Sequence, residues 1–195
     1  MRTALWLSSF CLWPIAALAA ENTSVYTPFD LDRSCLRVQQ GDGMTFAGTW
    51  KCAGFGGNDI AVSIDDERSH VGFGPKPTET CAYAKTFSRF NTALSPVEWR
   101  LRDGKPFAAI ERWRVVTDDD GSTVTWLVIS KIEGTEACPV HYIAGSYPNA
   151  NEHAREAADA LASEDYDCEH DTPTVDSRVG AEGIAFVSCA EAKGE

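Results

Sequence analysis

The side chains able to do chemistry in this chain are few and scattered, so each is read against its immediate neighbours. Four histidines, His70, His141, His153 and His170, are the only groups whose ordinary titration falls near neutral pH. His153 has Glu152 beside it and Glu156 at i+3, which draws two ligands of a metal site on one helix face. The same spacing describes a solvated, charged helix face, and no metal is assigned to it. His141 sits between Val140 and Tyr142 in an apolar strand pattern and reads as a packed or edge histidine rather than a base. His170 lies among Asp165, Asp167, Glu169 and Asp171, a run that lacks the ordered ligand positions and central glycine of a calcium loop. It reads as an acidic surface loop.

Nucleophile and phosphate motifs are equally sparse. Gly145-Ser146-Tyr147 follows a strand pattern and precedes a helix pattern, but it lacks the second glycine of a G-x-S-x-G elbow. No catalytic residue is therefore assigned. Gly145, Ser146 and Tyr147 are taken instead as a constrained loop where a binding element sits. Asp118-Asp119-Asp120-Gly121 has turn chemistry, and Gly54-Phe55-Gly56-Gly57 lacks the Gly-Lys-Ser/Thr ending of a phosphate loop, so no cofactor is expected. Trp99, Trp113 and Trp126 would serve as a sugar or peptide platform if exposed, and fall on strand patterns that read as core. Glu111 is the exception, a carboxylate on the parity of Ala109 and Trp113, which calls for a bulge that turns it outward or an Arg partner.

The elements that must position these groups follow from periodicity. Residues 34–39, 45–52, 59–64 and 70–73 read as short strands between Gly- and Asp-rich turns. Residues 78–95 suit a short helix or an irregular strand. Residues 97–142 are the clearest stretch: Val97, Trp99 and Leu101 alternate with Glu98, Arg100 and Arg102, and Asp103-Gly104 marks a hairpin to a strand over 107–116. A three-residue loop with Gly104 left-handed is preferred, because that register gathers Phe107, Ala109 and Trp113 with Val97, Trp99 and Leu101. Residues 123–132 are apolar on both parities and read as a central strand, followed by a strand over 137–144. Asn149 with Glu152 forms a capping-box pattern, and Ala150, Ala154, Ala157, Ala158, Leu161 and Ala162 give the helix an apolar stripe ending near Ser163. A last strand is expected at 183–189. The fold class is α+β, mainly antiparallel sheet with one carboxy-terminal helix laid on it.

The compartment is read from the amino terminus. Arg2, an apolar run over 4–18 and Ala17-Leu18-Ala19 make a secretory signal over residues 1–19, leaving one exported domain over 20–195 with no membrane insertion. Cys11 leaves with the signal. Cys35, Cys52, Cys81, Cys138, Cys168 and Cys189 remain, an even number with no C-x-x-C spacing. Local adjacency pairs Cys35 with Cys52 across a hairpin and Cys138 with Cys168 across the helix, which leaves Cys81 with Cys189. A net charge of −12 excludes nucleic acid and anionic membranes as partners and favours a basic one.

The segments Thr49-Trp50-Lys51-Cys52, Trp99-Arg100, Arg112-Trp113, Asn149-Ala150-Asn151 and Ala154-Arg155, between Cys138 and Cys168 in the last two cases, resemble a group of small uncharacterised exported proteins of alphaproteobacteria. The resemblance covers most of the chain beyond residue 19; it implies a periplasmic address and carries no assigned activity. The function expected is that of a non-catalytic periplasmic or secreted binding or protective protein, with a basic envelope or host protein such as a lysozyme as partner. The alternative is a cell-envelope hydrolase acting on peptide or glycan through Glu111 or the carboxylates of residues 165–171. Amino-terminal sequencing of the exported product is expected to begin at Ala20 or within a residue or two of it; an intact Met1 would overturn the compartment reading.

Overall fold

The computed structural model describes residues 21–40, 47–118, 120–163, 165–177 and Cys189. The signal expected over 1–19 lies outside the described residues, as does the strand expected at 183–189 apart from Cys189. Among the described residues ten strands form two sheets. β1 (Thr23–Thr27), β6 (Asn91–Arg102), β7 (Lys105–Val116), β8 (Thr123–Glu133), β9 (Glu136–Ala144) and β10 (Thr174–Asp176) make a six-stranded sheet in that order. β2 (Cys35–Gln40), β3 (Gly48–Phe55), β4 (Asn58–Asp65) and β5 (Arg68–Gly74) make a second sheet of consecutive hairpins. Pairing is antiparallel throughout except between β9 and β10. The ambiguous stretch after β5 resolves into a 3-10 turn (Pro77–Glu79), a single helical turn α1 (Cys81–Ala84) and irregular chain up to β6.

The larger sheet is covered on both faces, because its central strands are apolar on both parities. Trp99, Trp113, Trp126 and Val128 face the small sheet and pack with Ile60, Val62, Val71 and Phe73. The Phe73 ring meets Trp99 edge-on at 5.8 Å, and Phe87 is surrounded by Trp113, Trp126 and Tyr142. Aromatic pairs at such separations add to area burial, and all three tryptophans are core rather than a ligand platform. On the other face Ile110, Leu127, Ile129 and Ile143 pack against Ala150, Ala154, Ala158 and Leu161 of α2 (Ala150–Ala160). The alanine stripe lets the helix lie close to the sheet. One sheet with a helix was the expected architecture; the small sheet folds over the aromatic face as a second layer.

The β6–β7 hairpin corrects the expected loop. Asp103 (φ 52°) and Gly104 (φ 74°) form a two-residue turn with both residues left-handed, and Arg102 pairs with Lys105. Leu101 then pairs with Pro106 but Arg100 with Ala108, so Phe107 is a bulged residue. That bulge restores Trp99 opposite Ala109 and keeps Trp113 on the aromatic face. Phe107 itself goes to the helix face, under the Arg102 guanidinium at 5.8 Å, instead of joining Trp99. The helix start also differs from expectation. Asn149 caps α2 in a left-handed conformation (φ 53°) with no side-chain cap bond, so the capping box does not form, and regular helix stops at Ala160.

Glu111 finds neither of the two exits proposed for it. It is 2% exposed between the sheets, opposite Val128, and its Oε1 has no hydrogen-bond partner. Burial pushes this carboxyl well above the usual carboxylate range; the nearby Trp113 indole pulls the other way. It borders a void of about 20 Å³ lined also by Lys85, Thr86, Ser130 and Tyr142, room for one water molecule. A carboxyl whose folded-state titration is raised contributes its stability below the unfolded value and loses it as pH rises through the folded one. Glu111→Gln is therefore expected to raise Tm by roughly 2–4 °C at pH 8, about 1 kcal/mol for a chain of this size, and by less at pH 4. Thermal unfolding at both pH values checks this, and an equal loss of Tm at both would contradict it.

Candidate functional site

Three polar side chains that are far apart in sequence converge where β9, α2 and β10 meet. His141 stands in the middle of β9, and its Nε2 lies 2.7 Å from Asp176 Oδ2. His153 occupies the first turns of α2, and its Nε2 lies 2.7 Å from the same Asp176 oxygen. The imidazoles are 5.9 Å apart and nearly perpendicular, at 76°. Asp176 is delivered by β10, which adds to β9 in parallel, with Thr174 beside His141 and Asp176 beside Ile143.

The loop from β9 to α2 fixes the second imidazole. Gly145 N–H donates to the Thr125 carbonyl at 2.7 Å, and a Cβ on Gly145 would sit 3.0 Å from Thr125 Cβ, a tight contact that a larger residue makes only if Thr125 gives way by a few tenths of an ångström. Tyr147 N–H donates to the Ala144 carbonyl and Ala150 N–H to the Tyr147 carbonyl, which closes the turn. The Tyr147 ring is thereby stacked on His153, 5.0 Å away at 16°. On its other side His153 Nδ1 is 3.7 Å from Glu156 Oε2.

Electrostatics follow from partial burial. Loss of solvent lowers the His141 titration below its ordinary value, with Asp176 pulling the other way. Burial works to raise Asp176, but hydrogen bonds from His153 and His141 outweigh it and hold the carboxyl below its usual range. Two imidazole nitrogens and one carboxylate oxygen lie within 4.8 Å of one another. Such a set can hold a divalent ion or clasp strand to helix through hydrogen bonds.

The other sequence candidates are distributed differently. Gly145 and Ser146 are exposed and border a surface depression of about 320 Å³ with Arg112, Thr125 and Trp126. His170 pairs with Asp167, while Asp167 and Asp171 accept backbone N–H groups within their own turn. Asp120 accepts the Ser122 N–H in the β7–β8 turn, and Gly56-Gly57 is the β3–β4 turn with both glycines left-handed. His70 reaches the Tyr83 carbonyl. Asp176 escaped sequence reasoning, and so did the meeting of His141 with His153, because a three-residue parallel strand leaves no periodic signal. His153 with Glu156 was visible; its principal partner was not.

A separate polar network fastens the helix. Arg155 donates to Glu98 Oε1 at 2.6 Å, Ser24 donates to the same oxygen at 2.5 Å, and Arg100 donates to both Asp159 oxygens and to Ser24. These residues join β1, β6 and α2 across the face opposite the aromatic one. No family model, curated protein or solved structure matches this chain. Three disulfides, Cys35–Cys52, Cys81–Cys189 and Cys138–Cys168, are the pairs expected from the sequence and indicate an oxidising, non-cytoplasmic environment. No helix among the described residues is long and apolar enough to cross a membrane. Asp176→Ala is expected to release β10 and leave two imidazoles without their shared acceptor, at a cost of roughly 1–3 kcal/mol. Amide exchange should accelerate at residues 174–176 with the hairpins of the small sheet unaffected; unchanged protection would show that β10 is held by other contacts.

Proposed function

We propose that this chain is a non-catalytic binding protein of the periplasm or the extracellular medium, and that its helix-bearing face receives a basic protein partner. One observation carries the reading. On that face the arginines are turned inward onto structural acceptors: Arg100 onto Asp159, Arg155 onto Glu98 and Arg102 onto the Ala162 carbonyl. Glu152, Asp165, Glu169 and Asp171 are left exposed, with no Lys or Arg paired to them among the described residues. Together with the net charge of −12 this gives a surface with an excess of negative charge that steers a cationic protein. The depression beside Gly145 and Ser146, lined also by Arg112 and Thr125, offers a recess for an inserting loop. The disulfides keep the surface in shape outside the cell.

The hydrolase alternative is weakened by the position of its best carboxylate. Glu111 is enclosed between two sheets, so a peptide or glycan polymer does not reach it. The carboxylates of 165–171 are spent partly on their own turn.

A cationic lysozyme serves as the basic probe, with an acidic protein of similar size as the control. Affinity for lysozyme is expected to fall about tenfold or more between roughly 0.01 and 0.15 M salt, as the Debye length shortens from about 30 to 8 Å. Glu152→Gln with Asp165→Asn should weaken it further at low salt. Binding that ignores salt, or equal binding of the acidic control, would reject the reading.

A further inference from the structure

We propose that His141, His153 and Asp176 form a binding site for one divalent transition-metal ion of the zinc type. The inference does not rest on the basic-partner reading. The donor set is two imidazole nitrogens and one carboxylate oxygen, which suits zinc and its neighbours in the first transition row far better than calcium or magnesium. The six cysteines beyond residue 19 are all in disulfides, so no thiolate competes for a softer ion. His141 Nε2 and His153 Nε2 both point at Asp176 Oδ2 from 2.7 Å, which means that the three donor atoms already surround one small volume. An ion about 2.0–2.2 Å from each donor requires donor separations near ~3.3 Å in a tetrahedron, an opening of roughly half an ångström. β10 can supply that movement, being a three-residue edge strand.

Each donor comes from a different element and each element is anchored independently. His141 is held inside β9 by pairing with β8 on one side and β10 on the other. His153 is stacked on the Tyr147 ring, and the exposed Glu156 carboxylate lies 3.7 Å from its Nδ1, beyond hydrogen-bond distance but near enough to attract it electrostatically. Asp176 follows Cys168, and the Cys138–Cys168 bridge ties that segment to β9 three residues before His141. The side chains of His141, His153 and Asp176 are 17, 31 and 27% exposed, so the site is walled yet open to solvent on one side. Three protein donors with one open direction is the arrangement in which a fourth ligand, water or a group from a partner, completes the coordination.

The test uses the untagged exported chain with its disulfides intact, freed of metal by chelator and dialysed. Zn²⁺ is titrated by calorimetry, and Co²⁺ is added in parallel as a spectroscopic probe of coordination. The expected result is one Zn²⁺ per chain, a rise in Tm on binding, and visible Co²⁺ absorption of a low-coordinate site that Zn²⁺ displaces. His153→Gln and Asp176→Asn should each weaken binding at least tenfold and abolish the Co²⁺ bands. His170→Gln, in the exposed acidic turn, should change neither. His153→Gln replaces a part-exposed helix residue, and circular dichroism with non-reducing peptide mapping confirms that it folds. No saturable Zn²⁺ binding by the parent chain, binding that survives His153→Gln and Asp176→Asn, or binding lost in His170→Gln would each overturn the proposal. So would a parent chain that binds no metal but is destabilised by Asp176→Asn, which would make the cluster a hydrogen-bonded clasp alone. Lysozyme binding by the same variants reports separately on the acidic surface.

Discussion

The strands β6 to β9 are buried on both faces, and most of the remaining structure answers that demand. A strand such as β8 carries Trp126 and Val128 on one side and Leu127 and Ile129 on the other, so water must be removed from both. Burial at roughly 25 cal/mol per Å² of apolar surface drives this, and the bulky aromatic side needs an extended partner surface while the aliphatic side accepts a helix. The four hairpin-linked strands β2 to β5 provide the first. The alanines of α2 provide the second, since small side chains bring the helix axis close enough to cover β7, β8 and β9.

Enclosure then decides the fate of the polar groups caught inside it. Glu98 and Arg100 alternate with Trp99 along β6, so they point at the helix rather than at solvent. Both are nearly buried, and both are answered by charges from α2, Arg155 and Asp159. Removal of one partner from such a pair leaves an uncompensated charge, which makes the network a constraint on where α2 sits. Glu111 shows the opposite case. It faces the aromatic layer, where no guanidinium hydrogen-bonds or ion-pairs with it among the described residues, and its carboxyl is driven toward the neutral form. The helix placed by the first network is the one that carries His153 to Asp176.

The disulfides act on the segments that burial holds least. Cys35 and Cys52 are opposite one another in the β2–β3 register and staple the outermost strand of the small sheet. Cys138–Cys168 returns the chain to β9 after the helix, and Cys81–Cys189 holds Cys189 at the start of α1. β10, with only three paired residues, is positioned between two such ties. The oxidising environment that the disulfides indicate and the meeting of His141, His153 and Asp176 are thus linked physically, because the Cys138–Cys168 tie lies close in sequence to the strand that delivers Asp176.

Local patterning in the sequence was enough to determine the alternation of β6 and β7 and the position of the hairpin between them, the double-sided burial of β8, the alanine stripe of α2 and the three cysteine pairs, while the length of the Asp103-Gly104 turn was not legible in it. These are properties of neighbours along the chain or of adjacent elements, where a period of two or of 3.6 residues, or a short connection, leaves few solutions. Only the tertiary structure decided the rest. The bulge at Phe107 exists because a two-residue turn must be reconciled with an aromatic layer that wants Trp99 and Trp113 together. Asn149 adopts its left-handed cap because the Gly145 to Tyr147 turn dictates how the chain enters the helix, whatever its side chain prefers. The small sheet closes over the tryptophans because that surface must be covered, which no strand pattern states. His141, His153 and Asp176 meet through a parallel pairing three residues long, formed after the helix and the disulfide have returned the chain to β9. A contact of that kind is the outcome of summed long-range packing, and it has no period by which a sequence could display it.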